Sequence, residues 1–283
     1  MFTRAEIQHL VRKYQIIPSR KRGQNFLVDH ASVKSLLGAA DLQSSDTILE
    51  IGAGLGVVTI PLAQRCASVI AVEVDRALEA PLRLLERRYP NLRIVRNDIL
   101  QCALGDLVSE SLRPYKIIAS LPFNITSHFI QKVLTIDVRP QAMTLIIQYE
   151  VAERIVAEPG AMSLLSLSCQ LYSQPRLVQK IPASAFWPQP DVDAAIIHFA
   201  NIQRPSAFQI DADLERRLFH LAHAGFSGKR KQLRNTLSGT MQINKAAMDH
   251  LLDQAGIAPQ ARPQELSVEQ WIACARVAGK EKE

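Results

Sequence analysis

Five apolar runs of strand length, at residues 47–51, 69–74, 92–95, 116–119 and 143–147, alternate with stretches of helical periodicity, and this alternation restricts the fold more than any other feature. Leu78, Leu82 and Leu85 recur at intervals of four and three within residues 76–89, and residues 57–65 share the same period. Strands that are apolar on both faces belong in a parallel sheet covered by helices on either side. The alternation ends near residue 170. Residues 178–181 and 194–199 predict two further strands with no helix between them, hence an antiparallel pair at the sheet edge. From Asp211 onward the pattern is helical, with Leu214, Leu218 and Leu221, then Met248, Leu251 and Leu252, then Val268, Trp271 and Ile272. The segment N-I-Q-R-P-S-A, with Pro205, marks the join. At 283 residues the chain exceeds one ordinary domain, and the pattern divides it into an α/β domain of residues 1–203 and a helical domain of residues 204–283.

L-E-I-G-A-G-L-G-V-V-T carries the first of these strands into a helix through Gly52, Gly54 and Gly56. Glycines suit a turn that must reverse tightly and bring its backbone against a ligand. The spacing is G-x-G-x-G, and Val57 stands where a nicotinamide-binding turn wants Gly or Ala. Alone, the pattern also describes a plain strand-to-helix turn. Two acids sharpen it. Glu73 closes the second strand, V-I-A-V-E-V-D, where a carboxylate accepts both hydroxyls of a ribose. Asp98 follows the third strand in R-N-D-I-L, placed for an adenine amino group. An adenosine without a diphosphate fits this set, and S-adenosyl-L-methionine is the common cofactor of that description.

Lys and Arg number 33 against 27 Asp and Glu, a formal charge of +6, which suits either a basic enzyme or a polyanion partner. The four cysteines, Cys66, Cys102, Cys169 and Cys274, show no C-x-x-C spacing and are expected as free thiols in a reducing cytoplasm. His220 and His223 lie one helical turn apart without a third ligand, so no metal is expected. The N-terminal residues carry charges where a signal peptide needs an apolar core, and no stretch reaches the roughly 18 apolar residues of a membrane span. A soluble, cytoplasmic chain without membrane contact is expected.

The fourth strand, Y-K-I-I-A, ends in Ser120, Leu121, Pro122 and Phe123, followed by N-I-T-S. A strand that ends in a proline and an aromatic ring suits a site for a flat group. Together with R-G-Q-N-F-L (22–27), G-A-G-L-G, Q-Y-E-V-A-E-R (148–154), F-W-P-Q-P-D-V-D (186–193) and K-R-K-Q-L-R-N-T-L (229–237), in this order, the motif resembles those of the ribosomal RNA adenine dimethyltransferases, and most closely those acting on the small subunit. The resemblance covers roughly residues 20–240. It implies a Rossmann-like class I methyltransferase fold with a mostly parallel seven-stranded sheet and a small helical C-terminal domain for RNA recognition. It also implies S-adenosyl-L-methionine as methyl donor and, as partner, 16S rRNA in the immature small ribosomal subunit, bound by a monomer.

Carried over by position, the resemblance implies that Gln24, Asn25 and Leu27 close over the methionine part of the cofactor, with Gly52, Gly54, Glu73, Asp98 and Ser120 completing its site. Ser120, Leu121, Pro122 and Phe123 are implied to hold the target adenine, in a motif that reads N-[L/I]-P-[Y/F] in the family. Ser120 departs from it: a hydroxyl can accept a hydrogen bond as the Asn carbonyl does, but its reach is shorter and it can also donate. Asp191, Ala194 and Met162 are further departures, where relatives commonly carry Lys, Ser and Tyr, near the inferred RNA face. Two basic clusters, Arg20, Lys21 and Arg22, then Lys229, Arg230, Lys231 and Arg234, suit phosphate contacts that position a folded RNA. Three readings stay open at this level: the small-subunit enzyme, the sister enzyme of 23S rRNA associated with macrolide resistance, and an RNA-binding assembly protein with weak catalysis. The long helical tail favours the first; Ser120 favours the last.

Overall fold

The computed structural model describes residues 2–19, 23–203, 209–228 and 231–280. In chain order the first part contains α1 (Arg4–Lys13), β1 (Phe26–Leu27), α2 (His30–Ala39), β2 (Thr47–Ile51), α3 (Thr59–Ala63), β3 (Ser68–Glu73), α4 (Glu79–Arg88), β4 (Leu92–Arg96), α5 (Leu104–Leu107), β5 (Tyr115–Ser120), α6 (Thr126–Thr135) and β6 (Ala142–Gln148). There follow α7 (Tyr149–Ile155), α8 (Leu164–Tyr172), β7 (Gln174–Ile181), β8 (Phe186–Trp187), β9 (Ala194–Ala200), α9 (Ala212–Phe226), α10 (Leu233–Met241), α11 (Lys245–Gln254) and α12 (Val268–Lys280).

The apolar runs become a seven-stranded sheet of order β4-β3-β2-β5-β6-β9-β7. Its first five strands are parallel, and β9 joins antiparallel to both β6 and β7, as the change of pattern after residue 170 predicts. Every residue of β2 is buried, which explains why its sequence is an apolar run interrupted only by Glu50. Because β3 and β5 flank β2, the crossovers on either side of it run in opposite directions. The crevice at the carboxyl ends of β2 and β5 is therefore the topological switch point, where open α/β sheets bind ligands. The helices predicted at 57–65 and 76–89 are shorter than their periodicity suggests: α3 begins after the glycine turn, and residues 76–78 form a 3-10 turn before α4. A two-stranded sheet absent from the prediction pairs β1 with β8, matching Phe26 to Trp187 and Leu27 to Phe186.

The chain separates into two compact units, Met1–Ala152 with Gln174–Ile202, and Glu153–Ser173 with Gln203–Glu283. A division at residue 203 places α8 in the α/β domain, whereas the structure groups it with the C-terminal helices. The reason is its apolar face. Leu167, Cys169, Leu171 and Tyr172 are buried, the Tyr172 ring stacks on Phe219 at 6.2 Å, and its hydroxyl donates to Glu215. Met162 is buried in this unit and Ala194 is buried in β9, so these two departures from the family concern packing rather than an RNA face; Asp191 is exposed. Among the described residues, no helix is long and apolar enough to cross a membrane.

In the second unit, Trp271 of α12 is fully buried and its ring lies 5.5 Å from that of Phe226. A Cβ at Gly225 would stand 2.7 Å from Trp271 Cη2 and 3.1 Å from Leu233 Cδ2. Alanine is the better helix former by about 1 kcal/mol, but forcing a methyl into a filled core costs about 1–3 kcal/mol. Gly225→Ala should therefore lower stability, by about 1 kcal/mol in urea denaturation; a stabilised variant would contradict this packing.

Candidate functional site

Register explains the centre of the site. Ile51 pairs with Ala119 across β2 and β5, so Gly52, which leaves the sheet, stands beside Ser120, the last residue of β5. Gly52 has a φ of +79°, and a Cβ there would lie 2.7 Å from the Ser120 carbonyl oxygen. Only glycine combines that backbone angle with that approach. Pro122 then turns the chain into a 3-10 turn that carries Phe123, while the Leu121 N–H donates to the Ile146 carbonyl at 3.2 Å. No described residue donates to the Leu121 carbonyl oxygen.

The candidate residues of the glycine turn, the two strand-end acids, the S-L-P-F segment and Gln24, Asn25 and Leu27 all line one cavity at this crevice. Phe26 of β1 and Phe186 of β8 line it as well, contributing two rings besides Phe123. The N-terminal segment is held there by the β1–β8 pair and by a hydrogen bond from the Val28 N–H to the Ala185 carbonyl, 2.8 Å. The Asn25 amide donates to the Gly23 carbonyl at 3.3 Å. Gln24 differs from expectation: although it borders the cavity, its side-chain amide is engaged with Ser19 and Asp75.

Glu73 is 9% exposed. Its Oε2 accepts from the Gly54 N–H at 2.9 Å, and its Oε1 from the N–H groups of Val74 and Asp75, both at 3.0 Å. Burial raises this carboxyl above the usual carboxylate range, and the three backbone donors work against that. Asp98 is half-buried and accepts from the Leu100 N–H at 2.9 Å and the Gln101 amide at 3.1 Å.

A candidate site residue that the sequence reading missed is Glu50, in the middle of β2. It is 2% exposed and lines the cavity; neither its Oε2 nor the Thr59 hydroxyl has a hydrogen-bond partner among the described residues. An acid inside a run otherwise built for burial was the available signal, since an unpaired carboxyl there costs several kcal/mol, about 2–7 by transfer measures, unless a ligand repays it. Burial pushes the Glu50 carboxyl up to about 8; the nearby Thr59 hydroxyl opposes the shift and the Glu73 charge adds to it.

Of the basic candidates, Lys231 is exposed, whereas Arg234 is half-buried and paired with Asp249 of α11 at 3.4 Å, which removes it from the freely presented charges. Arg20, Lys21, Arg22, Lys229 and Arg230 lie outside the described residues.

Glu50 also predicts a pH dependence. An unperturbed Glu titrates at 4.5 and Glu50 in the fold at about 8, so folding takes up a proton between these values. Its contribution to stability is full below the lower value and is lost as pH rises through the upper one. Urea denaturation of the cofactor-free protein from about pH 5.5 to 8.5 should show the wild type losing stability relative to Glu50→Gln as pH rises. Parallel curves would remove the buried-acid description.

Comparison with known proteins gives the family and the fold. Residues 19–280 match the family described as ribosomal RNA adenine dimethylase. The ribosomal RNA small subunit methyltransferase A of Dehalococcoides mccartyi is 38% identical over 267 residues, covering 94% of this chain and 90% of that protein. The protein of the same name from Alkaliphilus oremlandii is 34% identical, covering 93% of each. Among solved structures, the dimethyladenosine transferase of Plasmodium falciparum superposes with a TM-score of 0.76 at 23% identity, over 91% of this chain and 98% of that one. The 23S rRNA methyltransferase ErmE does so with a TM-score of 0.72 at 23% identity, over 90% and 100%. These two likenesses concern the fold.

Proposed function

The chain belongs to the ribosomal RNA adenine dimethylase family, and from that premise we propose that it transfers methyl groups from S-adenosyl-L-methionine to the exocyclic amines of two adjacent adenines near the 3′ end of 16S rRNA. The curated relatives at 30–38% identity carry the small-subunit name, which favours this reading over the 23S enzyme. The observation that carries the chemistry is that Leu121 and Pro122, at the end of β5, line the same cavity as Glu73.

The residues present suit the cofactor. Gly52 and Gly54 line the cavity without side chains, so a ligand can approach the backbone of the turn there. Glu73 is the ribose acceptor, Asp98 the adenine-amine acceptor, and Asn25 and Leu27 cover the methionine part. Glu50, a buried carboxyl with an unpartnered oxygen, is the group suited to that part's ammonium. When bound, S-adenosyl-L-methionine supplies a methyl group on an already activated sulfonium.

An adenine amine is a poor nucleophile because its lone pair is delocalised into the ring. The Leu121 carbonyl and the Ser120 hydroxyl accept its two hydrogens, so that nitrogen pyramidalises with its lone pair aimed at the methyl group, an effect of orientation. Phe123 offers its face to the extruded base, a contact worth about 1–3 kcal/mol. No general base is required, because the proton leaves after transfer. Lys231, with the basic residues at 20–22 and 229–230, supplies the phosphate contacts that position the RNA. Immature small-subunit particles in the cytoplasm are the substrate we assign, with the enzyme acting as a monomer late in ribosome assembly.

Labelled cofactor offered to immature small-subunit particles and to naked 23S rRNA, followed by mass mapping, tests this directly. Dimethyladenosine at adjacent 16S positions is expected. Label confined to 23S rRNA would overturn the assignment, and RNA binding without transfer would favour an assembly role. Phe123→Ala should lower kcat/KM roughly tenfold to a hundredfold, the loss of one stacking contact. Ser120→Asn should keep or raise turnover; a large loss would contradict the acceptor role of the hydroxyl.

A further inference from the structure

Gln24 uses both ends of its side-chain amide inside the protein. Its Nε2 donates to Asp75 Oδ2 at 2.6 Å, and its Oε1 accepts from the Ser19 N–H at 2.8 Å. The Gln24 N–H in turn donates to the Ser19 carbonyl at 3.1 Å, so residues 19 and 24 close on each other. Asp75 is 4% exposed; its Oδ1 accepts from the Ala77 N–H at 3.0 Å, and its own N–H donates to Glu73 Oε1 at 3.0 Å. Through Glu73 Oε2 the path reaches the Gly54 N–H. One run of hydrogen bonds thus joins the N-terminal segment to the strand-end acid and the glycine turn, across 51 residues of sequence between Gln24 and Asp75.

The segment that follows Gln24 lies over that turn. The Phe26 ring is placed so that a Cβ at Gly54 would stand 3.5 Å from its Cδ1, and a Cβ at Gly23 would stand 3.3 Å from Pro122 Cβ. Residues 23–27 therefore bridge the glycine turn and the target-base motif. The β1–β8 pair ties this stretch down at one end, and the Gln24–Asp75 bond ties it at the other.

We propose that Gln24 and Asp75 form a latch, with Asp75 a positioning residue that sets how closely residues 23–27 cover the cofactor, so that cofactor affinity depends on a residue outside the cavity lining. The latch rests on the reading of Asn25 and Leu27 as cofactor contacts. Its chemistry is directional. Asp75 presents an acceptor on each oxygen and Gln24 Nε2 only donates; a bond to an ionised acceptor is about twice as strong as a neutral one. In Asp75→Asn, an amide group faces the Gln24 amide donor. Flipping Gln24 relieves that clash only by turning its NH2 toward the Ser19 N–H. In Gln24→Glu, a carboxylate faces the Asp75 carboxylate. In the double variant the bonds among Ser19, residue 24, residue 75 and Ala77 are restored, with the donor between 24 and 75 reversed. The amide introduced at position 75 donates to the carboxylate introduced at position 24, its oxygen still accepts from Ala77, and the new carboxylate still accepts from Ser19.

The test is calorimetric binding of S-adenosyl-L-methionine and S-adenosylhomocysteine to the full chain, with amide hydrogen exchange of residues 26–28 in the ligand-free protein. Each single variant should raise Kd about tenfold, equivalent to about 1.4 kcal/mol, and speed that exchange. The Gln24→Glu/Asp75→Asn double variant should return both to near the wild type, a rescue that loss of an ordinary structural bond would not give. Wild-type affinity in both single variants, or a double variant no better than the weaker single one, overturns the latch. Leu27→Ala separates the two layers of the argument. Weakened binding there with no rescue by the swap refutes the latch alone, whereas unchanged binding refutes the cofactor role of the segment and the latch with it.

Discussion

The parallel register of β2 with β5 is the constraint on which the site depends. It sets the last residues of two non-adjacent stretches of sequence side by side, and the contact between Gly52 and the Ser120 carbonyl follows from it. Because a side chain at position 52 would strike that carbonyl, the glycine turn and the S-L-P-F segment share one wall. Distances between a methyl donor and an acceptor amine must be held to fractions of an ångström for transfer, and sites built on strand ends hold such tolerances better than loops do.

The sheet was legible because burial on both faces leaves a plain mark: continuous apolar runs, of which all became strands within a residue or two at each end. Glu73 and Asp98 were legible because their positions follow from strand ends. Helix lengths were less so, since the period of residues 57–65 begins inside the glycine turn, where backbone geometry overrides it. The placement of α8 was hidden because an amphipathic helix does not announce which neighbour takes its apolar face; Tyr172 turned out to meet Phe219 and Glu215 of α9. The β1–β8 pair is two residues long on each side, below the length at which alternation can be read. Gln24 carries a family motif but spends its amide on Ser19 and Asp75, a distinction that needs coordinates.

The site concentrates acid in a chain of net charge +6. Glu50, Glu73 and Asp98 border one cavity, and the first two are raised by burial. The acids that line this cavity are thus opposite in sign to the formal charge of the whole chain, and such a cavity favours a cationic group.

The short β1–β8 sheet carries a consequence for how the protein is made. Residues 26 and 27 are made well before their strand partners, residues 186 and 187, and β9 must enter between β6 and β7 later still. A nascent chain holding β2 to β5 has the glycine turn and the strand-end acids but not the strand that pairs with residues 26 and 27, so the wall of the cavity that Phe26 and Phe186 supply together is completed only after more than half of the chain has been synthesised.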